Sequence, residues 1–103
     1  MDPKAIRAIV VDDEHNARKI LPALIDWTSR GFSFVGEAAN GNEALELVER
    51  LRPDVVFTDI NMPYMDGLEL ARRVKTHDPL IKVVIMTAYA EFEYAKTGLQ
   101  LGV

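Results

Sequence analysis

The sequence predicts an α/β domain in which a parallel sheet is covered on both faces by helices. Short apolar runs alternate with amphipathic stretches along the chain, in the order βαβαβαβα. The apolar runs are near-continuous rather than alternating, as in strands buried on both faces. Three of the runs also close on an acid or a hydroxyl. Ala8-Ile9-Val10-Val11 ends in Asp12-Asp13, Val55-Val56-Phe57-Thr58 ends in Asp59, and Val83-Val84-Ile85-Met86 ends in Thr87. Crossovers between such strands are right-handed. The working site of such a sheet lies beyond the carboxyl ends of its strands, where Asp12, Asp13, Asp59 and Thr87 all fall.

The elements follow in order. The first strand is read at 7–11 and the first helix at 16–29, with Ile20, Leu21, Leu24, Ile25 and Thr28 on one face. Pro22 falls inside that helix, where it removes a backbone donor and crowds the preceding turn, so a kink is expected there. Gly31 permits the stop. The second strand is read at 32–37. The second helix is read at 42–51, with Ala44, Leu47, Val48 and Leu51 at amphipathic spacing, an Asn40/Glu43 pair resembling a capping box, and Pro53 closing it. The third strand leads to Asp59, and a turn follows at 61–65. Asp66 caps a third helix, with Glu69 three residues on and Leu70, Ala71 and Val74 facing inward. Asp78-Pro79 ends it, the fourth strand is read at 82–86, and a last helix at 92–101 with Gly102 as its stop.

Composition bounds the function. A chain of 103 residues with 49% hydrophobic and 27% charged content is read as one globular domain, 1–103. A formal charge of -4 argues against direct nucleic-acid contact, which needs clustered Lys and Arg. With no cysteine there is neither a disulfide framework nor a thiolate metal site. The start, Met1-Asp2-Pro3-Lys4, lacks the build of a signal peptide. No apolar run approaches the roughly 20 residues that span a bilayer. A soluble cytoplasmic protein without membrane contact is expected.

The clustered acids imply a chemistry. At roughly 4 Å and an effective dielectric of about 20, two carboxylates repel by about 4 kcal/mol. A raised pKa or a bound cation relieves this. Mg²⁺ takes one or two carboxylates, several waters and phosphate oxygens. An Asp59 oxygen beside such an ion can attack a phosphoryl group, and the Thr87 hydroxyl can then donate to a phosphoryl oxygen.

Three runs carry a specific resemblance: Val11-Asp12-Asp13-Glu14, then Pro53-Asp54-Val55-Val56-Phe57-Thr58-Asp59-Ile60-Asn61-Met62-Pro63-Tyr64-Met65-Asp66-Gly67, then Val84-Ile85-Met86-Thr87-Ala88. In order and spacing the chain resembles the receiver domain of bacterial two-component response regulators. Ile25-Asp26-Trp27 and Asn40-Gly41-Asn42-Glu43-Ala44-Leu45 are similar to receivers fused to AraC-type DNA-binding domains. The resemblance implies a flavodoxin-like, doubly wound parallel sheet of strand order 2-1-3-4. It implies Asp59 as the acceptor of phosphate from a sensor histidine kinase and Thr87 as the switch hydroxyl. Asp13 would be the direct Mg²⁺ ligand, Asp12 would act mainly through water, Asp59 would share the ion, and Asn61 would lend its backbone carbonyl. Asn61 and Tyr89 would tune dephosphorylation. A C-terminal output domain in a parent protein would bind DNA, and the outer face of the first helix near Asn16 and Lys19 would dock the kinase, a merely solvated face being the equal alternative. A receiver is a phosphoacceptor and not a turnover enzyme.

Receivers carry a fifth strand with an aromatic switch residue and a terminal Lys followed by Pro, then a fifth helix. The sequence stops before them at Gly102-Val103, so a C-terminally incomplete receiver is expected. Neither Lys82, at the wrong end of its strand, nor Lys96, on the last helix, would replace that lysine. The fourth strand would then be an unprotected apolar edge, and a homodimer or strand-exchanged dimer is expected to cover it.

Plainer readings stand beside these. Asp12-Asp13 alone reads equally well as a helix cap, and Asp59 alone as a turn cap; Met62-Pro63 and Asp66-Gly67 downstream weigh against both. Pro63 and Gly67 read as structural turn residues. His15 and His77 read as surface groups, the methionines as packing, and Trp27 as core or rim. A truncated, phosphorylation-incompetent dimerisation module is the alternative function. A phosphohydrolase is disfavoured, because such enzymes carry a second Asp where this chain has Asn61.

Overall fold

The computed structural model describes residues 5–24 and 26–86. Four strands, β1 (Ile6–Val11), β2 (Phe32–Ala38), β3 (Val55–Asp59) and β4 (Lys82–Met86), form one parallel sheet of order β2-β1-β3-β4. Helices α1 (His15–Leu24), α2 (Gly41–Leu51) and α3 (Gly67–His77) connect them, with a short 3-10 turn at Thr28–Arg30. This is the doubly wound α/β class and the strand order expected. The proposed last helix at 92–101 lies outside the described residues.

The near-continuous apolar strands serve two cores at once. Successive side chains point to opposite faces. Ile9, Val11, Val56 and Val83 join one cluster with Ala44 and Val48 of α2 and Leu70, Ala71 and Val74 of α3. Ala8, Val10 and Phe57 point the other way, where Leu21, Trp27, Phe34, Val55 and Met86 pack on them. The β1–β2 register slips once, Ala8 pairing Phe34 and Ile9 pairing Gly36, so both Phe34 and Val35 find their own face.

The caps read from sequence are present. Asn40 Oδ1 accepts from the Glu43 N–H at 2.9 Å, and Asp66 Oδ1 from the Glu69 N–H at 2.8 Å. Each closes the N-terminus of the helix that follows it.

Helix α1 differs from expectation. It starts at His15 and stops at Leu24, two residues past Pro22, instead of running to 29. Ile20 and Leu24, expected to face inward, are 59% and 65% exposed, and none of its described residues is buried. The reason is Trp27. Its ring stacks edge-on against Phe32, Phe34 and Phe57, with centroids 5.2, 5.3 and 5.6 Å away, and takes up the sheet surface the last helical turn would have covered. Its indole N–H donates to the Leu21 carbonyl at 2.8 Å, serving a helix end that Pro22 weakens.

Helix α2 ends on Arg52 in the left-handed region, φ 49° and ψ 60°, with its N–H bonded to the Val48 carbonyl. A side chain there costs about 1–2 kcal/mol, against roughly 0.5–1 kcal/mol for glycine's looser unfolded chain. Arg52→Gly is therefore expected to raise stability by about 0.5 kcal/mol. A urea midpoint that rises at unchanged slope supports this; a fall would show that the Arg52 side chain holds a contact of its own.

Candidate metal centre

The carboxyl ends of β1 and β3 lie side by side, with Val11 opposite Thr58 in the ladder. The residues that follow, Asp12, Asp13 and Asp59, are thereby delivered to one place. One carboxylate oxygen from each lies within 4.8 Å of the others. Asp13 is exposed, while Asp12 and Asp59 are half-buried.

Two of the three carboxylates are individually anchored. Asp12 Oδ1 accepts from the Glu14 N–H at 3.0 Å. Asp59 Oδ1 accepts from the Ile60 N–H at 2.9 Å. The Asp12 N–H donates to the Ala38 carbonyl at 3.1 Å, which ties the same loop to β2. These bonds hold like charges together that would otherwise swing apart into water.

The donor set fits a hard divalent cation: three carboxylates, with no nitrogen or sulfur among the grouped side chains. Two oxygens coordinating one Mg²⁺ at about 2.1 Å are at most about 4.2 Å apart. The three oxygens, all within 4.8 Å of one another, lie close to that span. The ion's own charge would relieve the mutual repulsion.

The turn after β3 is tightly built. Asn61 and Pro63 are exposed, and Met62 and Met65 are buried. The Met65 N–H donates to the Pro63 carbonyl at 2.8 Å across Tyr64, whose φ is 70°. Tyr64 is fully exposed, so a bulky residue occupies a left-handed position without burying its ring. Thr58 is fully buried, and its hydroxyl donates to the Asp59 carbonyl at 2.9 Å.

Gly67 acts through close approach and not through a left-handed backbone. Its φ is not positive. Instead, a Cβ there would collide with the Asp59 carbonyl oxygen and crowd the Ile60 Cα, while the Gly67 N–H donates to the Ile60 carbonyl at 2.8 Å. Glycine lets the start of α3 press directly on the backbone that carries Asp59. Pro63 remains in the turn as expected.

Sequence reasoning missed Arg18 and Glu37. Arg18 Nε–H donates to Glu37 Oε1 at 2.9 Å, and Lys19 Nζ reaches Glu37 Oε2 at 3.3 Å. The Arg18 hydrogen bond foremost, with Lys19 assisting, holds the Glu37 carboxyl below its ordinary 4.5, although burial pushes the other way. The available signal was an acid at the carboxyl end of β2, beside a cation in the first turns of the preceding helix. Thr87 and Tyr89 lie outside the described residues.

Comparison with known proteins gives a consistent answer. Residues 8–103 match the family described as the response regulator receiver domain. The chain is 38% identical over 97 residues to the uncharacterized transcriptional regulatory protein YesN of Bacillus subtilis, covering 94% of this chain and 26% of that one. The chain thus spans about a quarter of that relative's length. The structure superposes on the REC domain of AraT, a response regulator from Geobacillus stearothermophilus, with a TM-score of 0.88 and 38% identity over 96% of this chain and 77% of that one. It also resembles a chain of the CheX–CheY–BeF3–Mg²⁺ complex from Borrelia burgdorferi, with a TM-score of 0.82 and 29% identity over 94% and 72% of the two chains.

Two outcomes check the site. Asp59→Asn keeps the oxygen that accepts from Ile60 and removes one charge from the cluster, so the metal-free protein is expected to gain roughly 1 kcal/mol. A lower melting temperature would contradict the crowding of these charges. Gly67→Ala is expected to lose about 1–3 kcal/mol through overpacking, and wild-type stability would show that the α3 backbone yields easily.

Proposed function

This chain belongs to the response regulator receiver domains, and from that premise we propose that it is a Mg²⁺-dependent phosphoacceptor switch in a two-component pathway. The observation that carries the reading is the convergence of Asp12, Asp13 and Asp59 oxygens within 4.8 Å.

In this reading an Asp59 carboxylate oxygen attacks the phosphorus of a phosphohistidine on a sensor histidine kinase. A new phosphorus–oxygen bond forms, the phosphorus–nitrogen bond breaks, and its electron pair leaves with the imidazole. Asp12, Asp13, Asp59 and the Asn61 backbone carbonyl would hold Mg²⁺, which would supply positive charge to neutralise the transferring oxygens. The Ile60 N–H, 2.9 Å from Asp59 Oδ1, orients the nucleophilic carboxylate. Thr87 engages the new phosphoryl group, which adds about -1.5 to -2 of charge, and the change passes to an output domain of a longer, cytoplasmic transcription regulator. Asn61 and Tyr89 set the lifetime of the acyl phosphate. Asn61 stands where an acid–base Asp would speed hydrolysis, which supports a switch over a turnover enzyme.

The test is direct. With Mg²⁺ and acetyl phosphate, intact-mass analysis is expected to show one added phosphoryl group, lost on chelation and in Asp59→Asn. An adduct that persists in Asp59→Asn would move the acceptor elsewhere. Absence of any adduct on the wild-type chain would favour a module that only dimerises, through β4. Asp13→Ala is expected to weaken Mg²⁺ binding more than Asp12→Ala, and equal losses would contradict the direct and water-mediated roles.

A further inference from the structure

The β1–α1 loop carries two of the three aspartates, and Arg18 holds it. The Arg18 side chain is only 12% exposed. Its Nη1–H donates to the backbone carbonyl of Asp12 at 2.8 Å, its Nε–H to the Glu37 carboxylate at 2.9 Å, and its Nη2 lies 3.3 Å from His15 Nδ1. The Asp12 N–H meanwhile reaches Ala38, the neighbour of Glu37. The Asp12 backbone is thus tied to β2 twice, once directly and once through the guanidinium fork.

A guanidinium beside clustered carboxylates would ordinarily serve as their counter-ion. Here Glu37 takes its charge, and Asp12 offers it a carbonyl, while the Asp12 carboxylate accepts from Glu14. We propose that Arg18 is a positioning residue for the metal site: a charge-neutralised clamp that fixes the Asp12–Asp13 peptide so that both carboxylates meet Asp59, leaving the cluster's negative charge for the cation. The proposal rests on the Mg²⁺ reading above.

Charge alone predicts the opposite sign. Removing a cation near an acidic site makes the site more negative and tightens Mg²⁺ binding. Loss of a clamp loosens it. Arg18→Met suits the test, because Arg18 lines an open groove of about 530 Å³ with Val10, Pro22 and Phe34, and the unbranched methionine side chain can occupy the same space without charge. Lys19→Met is the control: it removes the same charge, from the same helix and the same acceptor, without touching Asp12.

By titration calorimetry with Mg²⁺, Arg18→Met is expected to bind about 10-fold more weakly than wild type, and Lys19→Met as tightly or slightly more so. Wild-type or tighter binding by Arg18→Met would overturn the clamp. Should that variant fail to fold, Arg18→Lys carries the comparison: it keeps the charge but cannot span both acceptors, so weaker binding supports the clamp and unchanged binding removes it. If the wild-type protein takes up no Mg²⁺, the metal reading fails separately. Nitrogen-15 relaxation of the Asp13 amide in metal-free protein then decides the clamp, faster motion in the Arg18 variant supporting it and unchanged motion overturning it.

Discussion

Electrostatic repulsion among three carboxylates is the constraint around which this end of the molecule is arranged. Unrestrained aspartates separate into water, where each is well solvated. Here the parallel pairing of β1 with β3 fixes their backbones side by side, and hydrogen bonds from the Glu14 and Ile60 N–H groups fix two of their side chains. The stability of the surrounding core is what makes such crowding tolerable. Ile9, Val11, Val56 and Val83 are buried almost completely, and a close-packed interior transmits the strain of the rim without giving way.

The backbone around Asp59 is held from several directions. Thr58 donates its buried hydroxyl to the Asp59 carbonyl, and Gly67 brings the first turn of α3 against that same carbonyl. On the other side, Ala38 and Arg18 hold the Asp12 backbone. In the proposed phosphoacceptor switch a rigid acidic frame would sharpen the response, because added charge would be relieved by movement elsewhere and not by drift of the acids themselves.

Among the described residues, the two sheet faces are covered unequally. Helices α2 and α3 bury the face they cover through Ala44, Val48, Leu70, Ala71 and Val74. The opposite face relies on aromatic packing around Trp27, while α1 lies shallowly, with Ile20 and Leu24 exposed. The amphipathic period placed Ile20 and Leu24 inward because periodicity identifies a helix's apolar stripe but not what already occupies the surface beneath it. Trp27, three residues beyond the end of α1, decided that question.

By itself the sequence determined the strand runs, the caps at Asn40 and Asp66, and the convergence of Asp12, Asp13 and Asp59 at one edge. Each follows from a local rule: two-sided burial demands continuous apolar strands, orphan helix donors demand a capping oxygen, and parallel strands all end on the same side. Only the tertiary structure decided the reach of Arg18 across to Glu37, the shortened first helix, and the meaning of Gly67. Those depend on which surfaces meet. Arg18 and Glu37 are 19 positions apart, and the carbonyl that excludes a Cβ at Gly67 belongs to the strand before its own helix. Local patterning encodes which element forms, whereas contacts between elements exist only after the chain has folded back on itself.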